Sequence, residues 1–300
     1  MWWMFFALAS RFLWAGSNAM DQILSRAHKE NKTAAVIALS FIAQAPFGVA
    51  ALWTGGWPAY DGKILWWFAL GIAADFLSYL PYYKCMQEEE ARNIVPYLEL
   101  GPVFLMILAL VLRGESLSFI QAAGALTVIA CGFLFSWDFT HGRLKLRVLG
   151  LMGLAAFFFA LNQFAVRMVS DEASDWTVAG CFLLGQSVAG FLLLAARPQV
   201  RRSVREGLIR TRGGSAALAL AEAVFSFLAL LSLVLAFKSA PSTAHVAGLS
   251  GVQPFFSLFL AVLLARALPK HFGQVPFDRE TKAKLFLLLG ILLGAWLLAH

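Results

Sequence analysis

Residues 215–237 read SAALALAEAVFSFLALLSLVLAF, a run of 23 residues with one ionisable side chain, Glu222. A helix needs about 20 mostly apolar residues to cross the hydrocarbon core of a bilayer. This run meets that length alone, and it is not isolated. Moving outward in both directions, comparable runs lie at roughly 2–24, 33–53, 64–84, 93–112, 117–137, 148–169, 176–196, 243–265 and 283–299. With 215–237 they make ten, joined by short loops that leave no room for a soluble domain. Barrel strands would read as alternating segments of about ten residues, and these runs are long and continuous.

The composition agrees. Hydrophobic residues are 60% of the 300 and charged residues 14%, against roughly 25% charged in a soluble domain. The 27 Phe and 10 Trp exclude a disordered chain. Cys85, Cys131 and Cys181 lie far apart inside apolar runs, which excludes a disulfide framework and a Cys/His metal site. The opening Met-Trp-Trp-Met-Phe-Phe has no basic stretch before its apolar run, so it reads as the first spanning helix and not as a signal peptide. The expected class is an all-α polytopic membrane protein of ten transmembrane helices.

A net charge of +7 would suggest nucleic acid in a soluble protein. Here the cations sort by loop. Those after the odd-numbered runs carry Arg26, Lys29 and Lys32, Lys84 and Arg92, Arg143, Lys145 and Arg147, six arginines between Arg197 and Arg212, and Arg266 to Lys284. The opposite loops carry only Lys63, Arg113, Arg167 and Lys238. Excess Lys and Arg mark the cytoplasmic side, so both termini are expected on the non-cytoplasmic side of the cell's inner, plasma membrane. No nucleic-acid partner is expected. Val200, Val204 and Leu208 recur every four residues between Arg201, Arg202 and Arg205. That pattern fits a short interfacial helix on anionic lipid headgroups, or arginines that only fix topology.

The basic loop near 138–147 divides the chain into residues 1–140 and 141–300, five helices each. The halves repeat weakly. Phe12–Asn18 lies against Phe157–Gln163, Ala74-Asp75 against Ala221-Glu222, and Gly101-Pro102-Val103-Phe104 against Gln253-Pro254-Phe255-Phe256. An odd number of helices per half makes the repeat inverted, and inverted-repeat transporters bind substrate between the repeats near the midplane.

The run Asn93-Ile94-Val95-Pro96-Tyr97-Leu98-Glu99-Leu100-Gly101-Pro102-Val103-Phe104, then Leu112-Arg113-Gly114-Glu115-Ser116-Leu117-Ser118, then Gln121-Ala122-Ala123-Gly124, resembles the EamA type of the drug/metabolite transporter superfamily. Trp14-Ala15-Gly16-Ser17-Asn18 fits that resemblance as well. In the second half, Ala265-Arg266-Ala267-Leu268-Pro269 and a longer loop to Lys284 stand where the family repeats its Gly-Glu turn. The resemblance implies metabolite efflux, most often of amino acids, amines or related compounds. It also implies a runner-up, since related ten-helix proteins handle sugar-bearing cargo: translocation of a lipid-linked or amphiphilic substrate.

Ionisable side chains within a membrane are costly unless they face a cavity or a partner, so they are the best pointers to a site. Arg11, Trp14, Asn18 and Asp21 share one helical face by their three- and four-residue spacing. Trp14 and Asn18 are expected to face the bundle centre. Arg11 has the alternative of snorkelling outward and Asp21 of sitting at the headgroups. Asp75, Tyr79 and Tyr82 share another face, with Pro81 expected to kink their helix. An acid with two phenols could hold a cationic or aromatic solute, unless Asp75 pairs with a base such as Arg11. Glu222 and Ser226 stand one turn apart, with Glu222 at the symmetry-related place of Asp75 or else solvated near the cytoplasmic interface. Asn162, Gln163 and Gln253 complete the candidate substrate-binding set together with His245, which reads equally as a hydrogen-bonded structural residue. A carboxyl in a low-dielectric cavity has its charged form penalised by desolvation. Asp75, Glu99 and Glu222 are therefore candidates for proton coupling. Gly290 and Gly294 form a small-xxx-small pair for a homodimer or an internal contact. No nucleophile elbow, phosphate loop or HExxH is present, so no enzyme activity, cofactor or metal is expected.

Overall fold

In the computed structural model, the residues described are 2–27, 33–58, 61–89, 94–115, 118–135, 137–138, 143–267 and 279–298. Of the loop cations, Lys29, Lys32, Arg92 and Lys270 lie outside them. So do Asn93, Ser116, Leu117, Leu268 and Pro269, which belong to stretches quoted above.

The apolar runs are helical over most of their described residues, with turns at Gln44 and at Gly251-Val252 and with Trp137 in a short strand. The helices are α1 (Trp2–Ala27), α2 (Thr33–Ala43), α3 (Ala45–Gly55), α4 (Gly62–Glu88), α5 (Leu100–Arg113), α6 (Phe119–Phe135), α7 (Leu146–Ser170) and α8 (Asp175–Ala196). They continue with α9 (Pro198–Arg210), α10 (Gly214–Ser239), α11 (Thr243–Ser250), α12 (Gln253–Ala267) and α13 (Arg279–Leu298). A 3₁₀ turn, Val95–Glu99, leads into α5. A two-residue antiparallel ladder pairs Trp137 with Leu144 and Asp138 with Arg143. Among the described residues six segments are long and apolar enough to cross a membrane: Thr33–Gly55, Gly62–Gln87, Leu146–Ser170, Asp175–Ala196, Gly214–Ser239 and Thr243–Arg266. The chain is thus a multi-pass, all-helical membrane protein.

Several local features depart from the expected helices. The second run is divided at Gln44, where the proline of Ala45-Pro46 starts a new helix at its first turn. The ninth is divided at Gly251 and Val252, just before Gln253-Pro254. The fourth opens as the 3₁₀ turn containing Pro96 and becomes α-helical at Leu100, shortly before Pro102. By contrast, α4 runs through Pro81 to Glu88 and is not interrupted there. Glu88 closes that helix, and Glu89 pairs with Lys145 at 2.7 Å. Gly114 takes the left-handed conformation (φ 67°) that ends α5, which is why the Gly-Glu turn needs a glycine there.

The packing sets α1 against α10 and α12, and α4 against α7. Further, α5 also meets α7, α2 and α3 meet α8, α11 meets α5, and α6 meets α13. Gly290 and Gly294 both turn toward α6: a Cβ at Gly294 would lie 2.8 Å from the Gly124 carbonyl oxygen, and one at Gly290 would lie 2.5 Å from Cys131 Sγ. That small-xxx-small pair therefore serves an internal contact. The outer surface keeps Trp53, Phe119, Leu192 and Phe286 exposed, the side chains a lipid environment would cover.

At one end of the bundle, three of the four cations in the sparsely charged loops are engaged by acids. Arg113 pairs with Glu115 (3.1 Å) and lies 3.9 Å from Asp171, Arg167 pairs with Asp171 (2.5 Å), and Lys238 pairs with Asp175 (2.6 Å). Thr243 Oγ1 donates to Glu115 at 3.0 Å, which ties the α5–α6 turn to the start of α11.

Candidate functional site

A cavity opens inside the bundle where the fourth and ninth runs lose regular helix. From α1 it takes Arg11, Trp14 and Asn18, and from α4 Asp75, Tyr79 and Tyr82. Leu98, Glu99, Gly101 and Pro102 come from the 3₁₀ turn and its junction with α5. Phe159, Asn162 and Gln163 come from α7, and Ser250 and Gln253 from the break between α11 and α12. Its volume is about 70 Å³. At about 10–15 Å³ per water, it has room for a small solute.

Each wall follows from its sequence. The spacing of Arg11, Trp14 and Asn18 puts them on one face of α1, and the close packing of α1 on α10 turns that face inward. Asp75, Tyr79 and Tyr82 do the same on α4. Glu99 reaches the cavity because the chain is 3₁₀-wound up to it.

The polar contacts show how the groups are held. Gln186 donates to Asp75 Oδ2, so Asp75 is restrained by an amide of α8 and not by Arg11. Arg11 Nη2 donates to Gln163 Oε1 at 3.2 Å, and the nearby charge that acts on the guanidinium is Glu99's. Arg11 is 3% exposed, which rules out snorkelling. Asn162 Nδ2 donates to the Gly71 carbonyl at 3.1 Å and ties α7 to α4. Tyr82 OH donates to Asn18 Oδ1 at 3.1 Å. Three buried atoms of the lining side chains have no protein partner: Arg11 Nε, Asn18 Nδ2 and Glu99 Oε2. The wall thus offers a ligand both donors and an acceptor, with aromatic faces between them.

Three expected site residues are elsewhere. Glu222 is 1% exposed, so it is not solvated at the interface, yet it does not line the cavity. Ser17 and Ser226 donate to its Oε1 at 2.9 and 2.5 Å and hold it behind the wall, between α1 and α10. Ser226 stays with it. His245 sits at the end of the bundle, 2.7 Å from Ser242 Oγ and edge-on to Trp3, as a structural histidine would. Asp21 is 2% exposed, far from headgroup solvation, and accepts from Tyr83 and, at 3.4 Å, from Tyr82.

Sequence reasoning missed Gln186 and Tyr83. Gln186 and Ser187 are the polar pair in the middle of an otherwise apolar helix, a signal as good as Asp75's own. Tyr83 falls off the Asp75–Tyr79–Tyr82 face, and its role depends on Asp21 of another helix.

Residues 1–137 match the EamA-like transporter family. The match takes in the first five runs and the walls built by α1, α4 and the 3₁₀ turn. Among solved structures, 18 chains match. One, described only as the crystal structure of a protein, superimposes over 99% of this chain and 97% of its own with a TM-score of 0.66. At 17% identity that likeness is one of fold. No curated protein matches.

Proposed function

We propose that the chain is a secondary transporter, an exporter of small metabolites such as amino acids, amines or aromatic solutes, working by alternating access between two inverted five-helix repeats, 1–140 and 141–300. The observation that carries this is the position of the cavity. It lies where two runs in corresponding places of the two halves lose regular helix, at Val95–Glu99 and at Gly251-Val252. Paired interrupted helices are the best pointer to a transporter's binding site.

The packing supports the repeat. Exchange each run with the one five places on, and α1 on α10 becomes α7 on α4, while α1 on α12 becomes α7 on α5. The pairs α2/α3 with α8, α5 with α11, and α6 with α13 map onto themselves. All of these contacts occur. A pseudo-two-fold axis between the halves gives that pattern. In such a fold the ion pairs joining Arg113, Glu115 and Asp171 would close the non-cytoplasmic side, where the charge bias also places both termini.

The cavity's small volume and interior walls favour a soluble solute over a lipid-linked one. Asp75, Glu99 and Trp14 with the tyrosines fit an amine or zwitterion, and the buried acids are candidates for proton coupling. Outside the cavity, α9 lays Val200 against the bundle and leaves Arg201, Arg202 and Arg205 exposed, which suits anionic headgroups. Stability in nanodiscs is accordingly expected to rise with anionic lipid and to lose that rise when the three arginines become glutamine. An equal response in the triple variant would remove the lipid role.

The functional test is solute flux into proteoliposomes, with amino acids, polyamines, aromatic metabolites, nucleotide sugars and lipid-linked precursors as the panel. Saturable flux of a soluble metabolite is expected. Asp75→Asn should lower it roughly tenfold or more, since a hydrogen bond to a charged group is worth about 1.5–3 kcal/mol. Flux that survives Asp75→Asn, Asn18→Ala and Glu99→Gln alike would place the site elsewhere. Flux confined to lipid-linked compounds would establish the translocase reading.

A further inference from the structure

Behind the cavity wall lies a second polar cluster, buried within the bundle. Glu222 comes to it from α10 and Asp21 from α1. Four hydroxyls surround the two carboxyls. Ser17 and Ser226 both donate to Glu222 Oε1, and Ser17 Oγ and Ser226 Oγ are themselves 3.2 Å apart. Tyr83 and Tyr82 donate to Asp21. The two acids are near enough for Glu222's charge to act on Asp21, and Ser17, which holds one, is a single turn before the other on α1.

Among the described residues no buried base pairs with them. Among the described residues the buried charged side chains are Asp21, Asp75, Glu99, Glu222 and Arg11. Arg11 is ten residues from Asp21, about 15 Å along the helix at 1.5 Å per residue, and its anion is Glu99. The titratable groups facing the cluster are Tyr79, Tyr82, Tyr83 and, farther off, Asp75, all from α4. From α8, which packs on both α4 and α10, comes the neutral Gln186. Two uncompensated carboxylates in a low-dielectric interior carry a desolvation cost of several kcal/mol each. One oxygen is left over. Glu222 Oε2 is buried and has no hydrogen-bond partner, while its twin Oε1 accepts two. The hydrogen bonds around the two acids come from hydroxyls, and carboxyl and hydroxyl oxygens are ligands that suit a hard cation.

We infer that the Asp21–Glu222 cluster is a site for one small monovalent cation, a proton or Na⁺, held apart from the solute and linked to it through Tyr82 and Asn18. Tyr82 makes the link: its hydroxyl lies 3.1 Å from Asn18 Oδ1, on the cavity wall, and 3.4 Å from Asp21 Oδ2. A cation that neutralises Asp21 releases that hydroxyl toward Asn18, and its loss draws the hydroxyl back. The inference rests on the transporter reading for its purpose, but not for its test.

The test uses the purified full-length chain in nanodiscs and needs no solute. In one arm, thermal unfolding is followed as NaCl replaces KCl at constant ionic strength. A saturable rise in Tm that disappears in Glu222→Gln identifies Na⁺, because a ligand bound only by the folded state must stabilise it. In the other arm, infrared difference spectra are taken across pH. A protonated-carboxyl band that titrates, is lost in Glu222→Gln and survives in Asp75→Asn and Glu99→Gln identifies the proton. Glutamine keeps an acceptor for both serines, so the variant is expected to fold. Asp21→Asn, expected to shift the same signal, serves if it does not. A chain that shows neither Na⁺-dependent stability nor a titrating band lost in these variants overturns the site. Flux in proteoliposomes is read separately, so a failed site and a failed transporter remain distinguishable.

Discussion

Gly48→Leu is expected to leave almost no folded protein, whereas Gly153→Leu is expected to behave as wild type. The reason is the seam between α2/α3 and α8. These helices run antiparallel at very short range. A Cβ at Gly48 would stand 2.8 Å from the Leu184 backbone nitrogen, and one at Gly180 would stand 2.9 Å from the Leu52 nitrogen. One turn further along, Ser187 Oγ donates to the Phe41 carbonyl at 2.9 Å, and a Cβ at Gly190 would be 3.1 Å from the Ala38 carbonyl oxygen. At Gly48 the two nearest obstacles are the backbone nitrogen and Cα of Leu184, which cannot rotate away as a side chain can. Apolar contact alone does not hold helices together in lipid, so close approach of small residues matters more there than in water. Overpacking an ordinary core costs about 1–3 kcal/mol, and forcing two backbones apart along this seam belongs at or above the top of that range. Gly153 has nothing within 4 Å of its would-be Cβ. Size-exclusion profiles and thermal unfolding of the two tagged variants, expressed side by side, check the claim. A Gly48→Leu protein with a wild-type profile would mean that the seam is looser than the geometry shows.

That seam marks the limit of what could be read from the sequence. The helical character of the apolar runs was legible because a stretch near 20 residues matches the thickness of a bilayer and is too long for a strand. The faces of α1 and α4 were legible because three- and four-residue spacing fixes which side chains point together. Arg11, Trp14 and Asn18 do share the cavity with Asp75, Tyr79 and Tyr82. What periodicity cannot supply is the rotation and depth of one helix against another, and every misplaced residue traces to that. Glu222 was expected in the cavity beside Asp75. Rotation of α10 by part of a turn leaves it to Ser17 instead. Asp75 met Gln186 of α8 and not Arg11, a choice that depends on how α8 packs beside α4. The division at Gln44 and the 3₁₀ winding before Leu100 were not read either, although Pro46, Pro96 and Pro102 stood in the sequence. A proline permits a break without requiring one, and Pro81 within continuous α4 shows the other outcome.

Arg11→Met is expected to be the most damaging single change in the cavity wall, and Glu99→Gln added to it is expected to restore much of what is lost. Arg11 is the only base among the buried charged side chains described, and Glu99 supplies the charge that acts on it. Both are 3% exposed. Arg11 keeps one hydrogen bond to Gln163, but its Nε and Glu99 Oε2 have no partner in the protein. The two charges therefore stabilise one another mainly through the field across the cavity. Methionine fills the space of the arginine stem and removes the field. Glu99 is then an uncompensated buried carboxylate, and leaving such a charge behind costs about 3–5 kcal/mol. Glu99→Gln alone leaves Arg11 uncompensated and is costly for the same reason. The double variant buries two neutral side chains and escapes both penalties. Thermal unfolding of the wild type, both single variants and the double variant closes a double-mutant cycle, with an expected coupling of about 1–3 kcal/mol, the range for residues that interact directly. A double variant whose loss equals the sum of the single losses would show that Arg11 and Glu99 are held independently. The cavity would then carry two separately solvated charges, and a zwitterionic ligand would find no preformed pair to exchange with.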